Sequence, residues 1–86
     1  MVINNISILL CWGSGRTSNT ENPSITYFTR AYTNNVVVFV SNTDNKNSGF
    51  GINIHGKTIS GFYPHCKDTI NNNFWAQNFD YFAIGY

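Results

Sequence analysis

Charge is scarce in this chain. Five Lys and Arg and four Asp and Glu make up 10% of its 86 residues and leave a net charge of +1. Arg16, Arg30, Lys46, Lys57 and Lys67 stand singly, so no basic stripe exists to neutralise a phosphate backbone. That excludes nucleic acid as a partner on electrostatic grounds. Cysteine is scarce too: Cys11 and Cys66 are too few for a disulfide framework. They read as free thiols packed as small hydrophobes, with a cross-strand pair left open. No apolar run approaches membrane-spanning length, so no membrane insertion is expected. The apolar start Ile6 to Trp12 is short and lacks the basic flank of a signal peptide. The expectation is a soluble product made in a cytoplasm. No segment carries a helical period of useful length, and no repeat or linker divides the chain. Residues 1–86 therefore read as one small domain, with Met1 to Asn5 as an incoming arm.

Groups for catalysis are equally thin. Glu21, Asp44 and Asp68 fall in expected loops and Asp80 opens the last strand, so nothing fixes a carboxylate pair across a cleft. Cys66 has His65 beside it and His55 near it, but neighbours on a strand point to opposite faces and cannot activate one another. Gly13-Ser14-Gly15 lacks the Lys and the helix of a phosphate loop. Too few ligands converge in one chain to hold a metal. On a threefold axis, His55 or His65 would supply one imidazole per chain, three in all. The reading is a non-enzymatic protein with no cofactor.

What the chain does have is aromatic surface and asparagine. Seven Phe, five Tyr and two Trp exceed what a small monomer hides comfortably. Oligomerisation is the simplest way to bury the excess. Asn clusters at Asn34-Asn35, Asn42 to Asn47 and Asn71 to Asn73 make a polar, nearly uncharged surface that suits hydrogen-bonding partners such as sugars, and they suit turns as well.

The dominant period is two. Ile6, Ile8, Leu10 and Trp12 alternate onto one face, and Gly13 to Pro23 reads as a loop. Ser24 to Tyr32 is β-rich, with Ile25, Tyr27 and Ala31 on one side. Asn34-Asn35 turns the chain into Val36 to Val40, whose unbroken β-branched run predicts a strand covered on both faces. Asn42 to Ser48 is a further turn. Phe50, Ile52 and Ile54 alternate up to a tight hairpin at His55-Gly56-Lys57. Ile59 to Tyr63 returns and Pro64 breaks it. Cys66 to Asn73 is a loop, and Phe74 to Tyr86 supplies the last strand or two. This spacing predicts an all-β, single antiparallel β-sandwich of about six strands.

The final run, Asp80 to Tyr86, is apolar and has no tail after it, so a core or a subunit interface must clamp it. Trp12, Phe62, Tyr81, Phe82 and Ile84 are the expected core or interface residues. Trp12, Phe82 and Ile84 face the core, and the opposite faces meet neighbours. Arg16, Tyr32, Tyr63, His65 and Trp75 flank or sit in loops. They are the expected ligand contacts, since aromatic faces suit sugar C–H surfaces and Arg supplies directed hydrogen bonds.

The order of pieces resembles the C-terminal domain of bacteriophage tail fibres. Leu10-Cys11-Trp12-Gly13 ends an early strand, Tyr27 and Tyr32 follow, and Val36 to Val40 comes next. Ser60-Gly61-Phe62 and the terminal Phe82-Ala83-Ile84-Gly85-Tyr86 complete the series. The resemblance spans nearly the whole chain. It implies an obligate homotrimer at a fibre tip in the virion, made in the host bacterial cytoplasm, that binds bacterial surface polysaccharide or lipopolysaccharide. The layout is also similar to the H-type lectins, trimeric six-stranded sandwiches that bind sugars. Two departures stand out. Phe28 replaces the usual Pro of the fibre pattern, and the aromatic-His pair of the lectin site is missing between Cys66 and Asn73, so no ligand residue carries over. A trimerising cap with no ligand, a free-standing lectin and a small enzyme are the alternatives.

Overall fold

The computed structural model describes residues 2–44, 51–68 and 71–86. Met1, most of the expected Asn42 to Ser48 turn, Phe50 and the middle of the expected Cys66 to Asn73 loop lie outside the described residues. Within them the chain is all-β, with no helix. The strands are β1 (Val2–Ile3), β2 (Ile6–Ser7), β3 (Leu9–Arg16), β4 (Thr26–Tyr27), β5 (Val36–Asn42), β6 (Asn53–Lys57), β7 (Gly61–His65), β8 (Lys67–Asp68), β9 (Asn73–Phe74) and β10 (Asn78–Gly85). Every pairing is antiparallel.

One three-stranded sheet has the order β3-β10-β5. The C-terminal strand is its centre, in register with β3 from Asn78 to Gly85 and with β5 from Phe79 to Gly85. The terminal run is thus clamped on both edges. Tyr86 continues the tie: its N–H donates to Asn35 O at 3.0 Å, and its carbonyl accepts from Asn34 and Asn35 at 2.7 and 3.1 Å. A side chain at Gly85 would collide with the Asn35 carbonyl, which explains the glycine there.

Strand β3 runs through Gly13 to Arg16, a stretch read from sequence as loop. The reason lies opposite. Gly13 pairs with Tyr81 and Gly15 with Phe79, and a Cβ at these positions would sit 2.9 and 2.6 Å from the two rings. The glycines are flat ground for aromatic side chains that cross from β10, a known use of glycine inside a strand.

The second three-stranded sheet has the order β4-β7-β6. Its hairpin does not turn at His55-Gly56-Lys57, which lie inside β6. It turns at Thr58 to Gly61, where Thr58 N–H donates to Gly61 O at 2.8 Å and Thr58 Oγ1 accepts from Ser60 and Gly61 N–H. A threonine side chain thus does the work expected of glycine. Nor does Pro64 end β7: it pairs with Ile54 beside a bulge and lies beyond the two residues that pair with β4. There its missing N–H is tolerated. The Cys66 to Asn73 loop contains a small ladder, β8 with β9. The expected N-terminal arm folds back as the β1–β2 hairpin. Asn4 and Asn5 take φ of 51° and 65°, the left-handed pair a two-residue hairpin turn requires.

Both three-stranded sheets contribute to one core. Phe62 of β7 lies 5.1 Å from Tyr81 and 5.9 Å from Phe79 of β10. Phe28 joins Phe62, Tyr81 and Tyr32 at 5.9, 6.1 and 5.2 Å. Cys11, Val36, Val38 and Ala83 complete the cluster. Full burial of Phe62 and Phe79 stabilises the fold by roughly 2–3 kcal/mol each. Phe28 and Tyr32 supply the inward side chains of their segment.

The parity of the first sheet is the reverse of the expected one. Trp12 and Phe82 are 71% and 40% exposed, and Ile84 shares their outward side. Phe62 and Tyr81 are the core members of the expected set. Strand β10 is apolar on both faces, so hydrophobicity alone leaves its parity open. Gly13 and Gly15 decide it, because only their side has room for the Phe79 and Tyr81 rings. Val36 to Val40 is likewise covered on one face only, with Val37 and Phe39 outward.

Candidate functional site

The two sheets turn chemically different faces outward. On β3-β10-β5, the register lines up Trp12, Phe82 and Phe39 as one cross-strand row and Leu10, Ile84 and Val37 as the next. Phe39 and Phe82 lie 6.4 Å apart. Ser14, Asp80 and Ser41 form the following row, where Ser14 Oγ donates to the Asp80 carboxylate at 2.7 Å. The face is apolar at its centre and polar at one end. Contiguous exposed apolar rows of this kind often mark a contact surface.

The outer face of β4-β7-β6 combines aromatic rings with imidazoles. Tyr27 pairs with Gly61, and Tyr63 and His65 follow on the same face at a spacing of two. His55 is the extra residue at the bulge between Ile54 and Gly56. Its ring lies 5.4 Å from that of His65, and Phe74 of β9 packs 4.6 Å from His65 on another side. Lys67 holds its ammonium 5.4 Å from the Phe74 ring centre. The result is a shallow row of rings with hydrogen-bonding edges, not a deep pocket. A cavity of about 210 Å³ opens elsewhere, lined by Ser7, Leu9, Arg30, Thr33 and Tyr86 among others, and is smaller than ordinary small-molecule sites.

The structure separates the residues expected to bind ligand. Tyr63 and His65 share the ring-lined face. Trp75 follows Phe74 directly, with its backbone N–H donating to Cys66 O at 3.0 Å and its backbone carbonyl accepting from Thr17 Oγ1 at 2.6 Å. Arg16 is at the far end of the other sheet, donating to Asn78 Oδ1 at 2.9 Å. Tyr32 is in the core at 2% exposure, where it cannot offer its ring to a ligand. Tyr27, His55 and Phe74 belong to the ring-lined face but were not read as ligand contacts. The period of two through Tyr63 and His65 would have pointed along the strand, but the bulge and the β8–β9 ladder have no plain sequence signal.

Burial also sets the electrostatics. It lowers the His65 pKa from its ordinary value, helped by His55 and Lys67, so a neutral ring is favoured. It raises the Cys66 thiol. Cys66 is fully buried on the opposite side of the chain from His65, so the two do not form a nucleophile–base pair. Both cysteines are free and buried. Among the described residues, no three His, Cys, Asp or Glu converge as metal ligands. Compared with the models of known protein families the chain matches none, and no curated protein matches it in sequence.

Proposed function

We propose that this chain is a receptor-binding tip domain of a phage tail fibre. In this reading two three-stranded sheets form one sandwich, three sandwiches assemble as a homotrimer, and the trimer binds bacterial surface polysaccharide without catalysis. The observation that carries the reading is the uncovered apolar face of β3-β10-β5. The chain exposes 5653 Å², against about 5100 Å² for a typical folded monomer of its mass. A sister copy laid over Trp12, Phe39 and Phe82 removes part of that excess, and obligate interfaces are apolar in this way.

The opposite sheet then stays free for recognition. Tyr27, Tyr63 and Phe74 offer faces for sugar C–H surfaces, and His55 and Asn53 offer polar edges. Each site is shallow, and three copies in fixed geometry convert weak binding into avidity.

Light scattering on the isolated chain, followed by a glycan array, tests both parts. The expected mass is three chains, and the expected hit is a bacterial glycan lost in Tyr63→Ala. A folded monomer overturns the assembly. A trimer that binds no glycan overturns recognition and leaves a structural cap.

A further inference from the structure

Outside the assembly and sugar reading, the paired histidines have a geometry of their own. A ring centre lies about 1.1 Å behind its donor nitrogen and the nitrogen about 2.1 Å from a bound ion, so two imidazoles on one tetrahedral ion hold their centres about 5.2 Å apart. The His55 and His65 centres are 5.4 Å apart, with the ring planes tilted at 58° rather than stacked. The backbone creates this proximity. In an unbroken ladder counted from Asn53 opposite His65, residue 55 would stand opposite Tyr63. Gly56 takes that place instead, and His55 is the extra residue of the bulge. Bulges commonly re-aim a side chain in this way. His65 Nε2 is enclosed and has no hydrogen-bond partner among the described residues.

We propose that His55 and His65 of one chain chelate a single divalent transition-metal ion, with water in the remaining positions. Imidazole donors select Cu²⁺, Ni²⁺ and Zn²⁺ over Mg²⁺ and Ca²⁺, which demand oxygen. The buried thiols Cys11 and Cys66 are not ligands: Cys66 lies on the other face, and Cys11 is on the other sheet. This site does not depend on trimer formation.

The test is calorimetric titration of the full, untagged chain with Zn²⁺, Ni²⁺ and Mg²⁺ in turn. One Zn²⁺ or Ni²⁺ per chain and no Mg²⁺ is expected. His55→Asn, at an exposed position, and His65→Asn should each weaken binding by at least about tenfold, the low end of what losing even an outer partner costs a metal site. Zinc should also shift the imidazole proton resonances of both histidines in the wild-type chain, a readout that holds even if His65→Asn folds poorly. Absence of saturable binding, undiminished binding in His55→Asn, or one ion per three chains overturns the proposal. The last result would place the ion on a symmetry axis. Glycan binding measured with chelator present keeps this outcome separate from that of the recognition reading.

Discussion

Trp12→Lys probes the apolar face most directly. Trp12, Phe39 and Phe82 are 71%, 59% and 40% exposed in the single chain. At roughly 200 Å² per large aromatic, Trp12 offers about 140 Å² to a neighbour and the three together about 340 Å². Covering Trp12 alone then contributes about 3.5 kcal/mol per chain at 25 cal/mol/Å². Summed over three chains, its loss weakens a trimer by about 10 kcal/mol, or between three and four decades in the midpoint concentration of assembly. Ordering costs make this an upper figure. The same change barely touches the fold, because Trp12 points away from the core, and monomer stability should move by no more than about 0.5 kcal/mol. Sedimentation velocity over a wide dilution series reads the assembly, and thermal unfolding reads the fold. Two neighbouring residues supply the control. Tyr81→Asp places a charge in the core and should unfold the chain, whereas Phe82→Asp, one residue on, should only disperse the assembly. A wild-type chain that sediments as a compact monomer would refute the reasoning, as would Trp12→Lys assembling like the wild type.

Three further outcomes follow from the packing. The Tyr32 and Tyr81 hydroxyls have pKa values raised above the ordinary 10.0, chiefly by burial, with Cys11 adding to both. Their neutral forms stabilise the fold fully below pH 10, and that contribution is lost as pH rises above it. A phenolate absorbance titration should therefore show two tyrosines ionising only as the chain unfolds. Gly15→Val should cost at least about 2 kcal/mol by driving a side chain into the Phe79 ring, and chemical denaturation will measure it. Cys11 and Cys66, 5% and 0% exposed, should react with a thiol reagent at the rate of unfolding, and a fast phase for either in native buffer would contradict their placement.

The fold class was legible because period two runs through Leu10, Trp12, Val36 to Val40 and Phe79 to Ile84 with no competing helical signal. The clamped terminal strand was legible for the same reason. What sequence could not carry was parity and turn position. β10 alternates Phe79, Tyr81 and Ala83 with Phe82 and Ile84, so either face could be inward. The answer rests on two glycines across the ladder, which local reading assigns to a loop. The β6–β7 turn was displaced by three or four residues because His-Gly-Lys resembles a hairpin tip, while the real tip is held by Thr58. For the candidate site, Tyr63 and His65 could be found by their exposed spacing. His55 could not be placed beside His65, since a bulge changes which residues meet, and Tyr32 was misplaced because the turn at Asn34-Asn35 made a core ring look like a loop residue.

The strand order ties these features together. Because β10 is central, the strand that carries Phe82 and Ile84 on the outer row also sends Phe79, Tyr81 and Ala83 into the core. Strand β7 sits on the other side of that core, sending Phe62 and Pro64 inward and turning Tyr63 and His65 outward. Its outer face touches none of the residues that a sister would cover. A chain with so little charge and so many rings can in this way divide its apolar surface between two tasks. On the proposed reading, the row of Trp12, Phe82 and Phe39, poor in polar edges, goes to sister copies, and the row broken by histidine, asparagine and tyrosine hydroxyls goes to a polar partner, because the second is better able to satisfy a ligand's hydrogen bonds without burying a bare donor or acceptor.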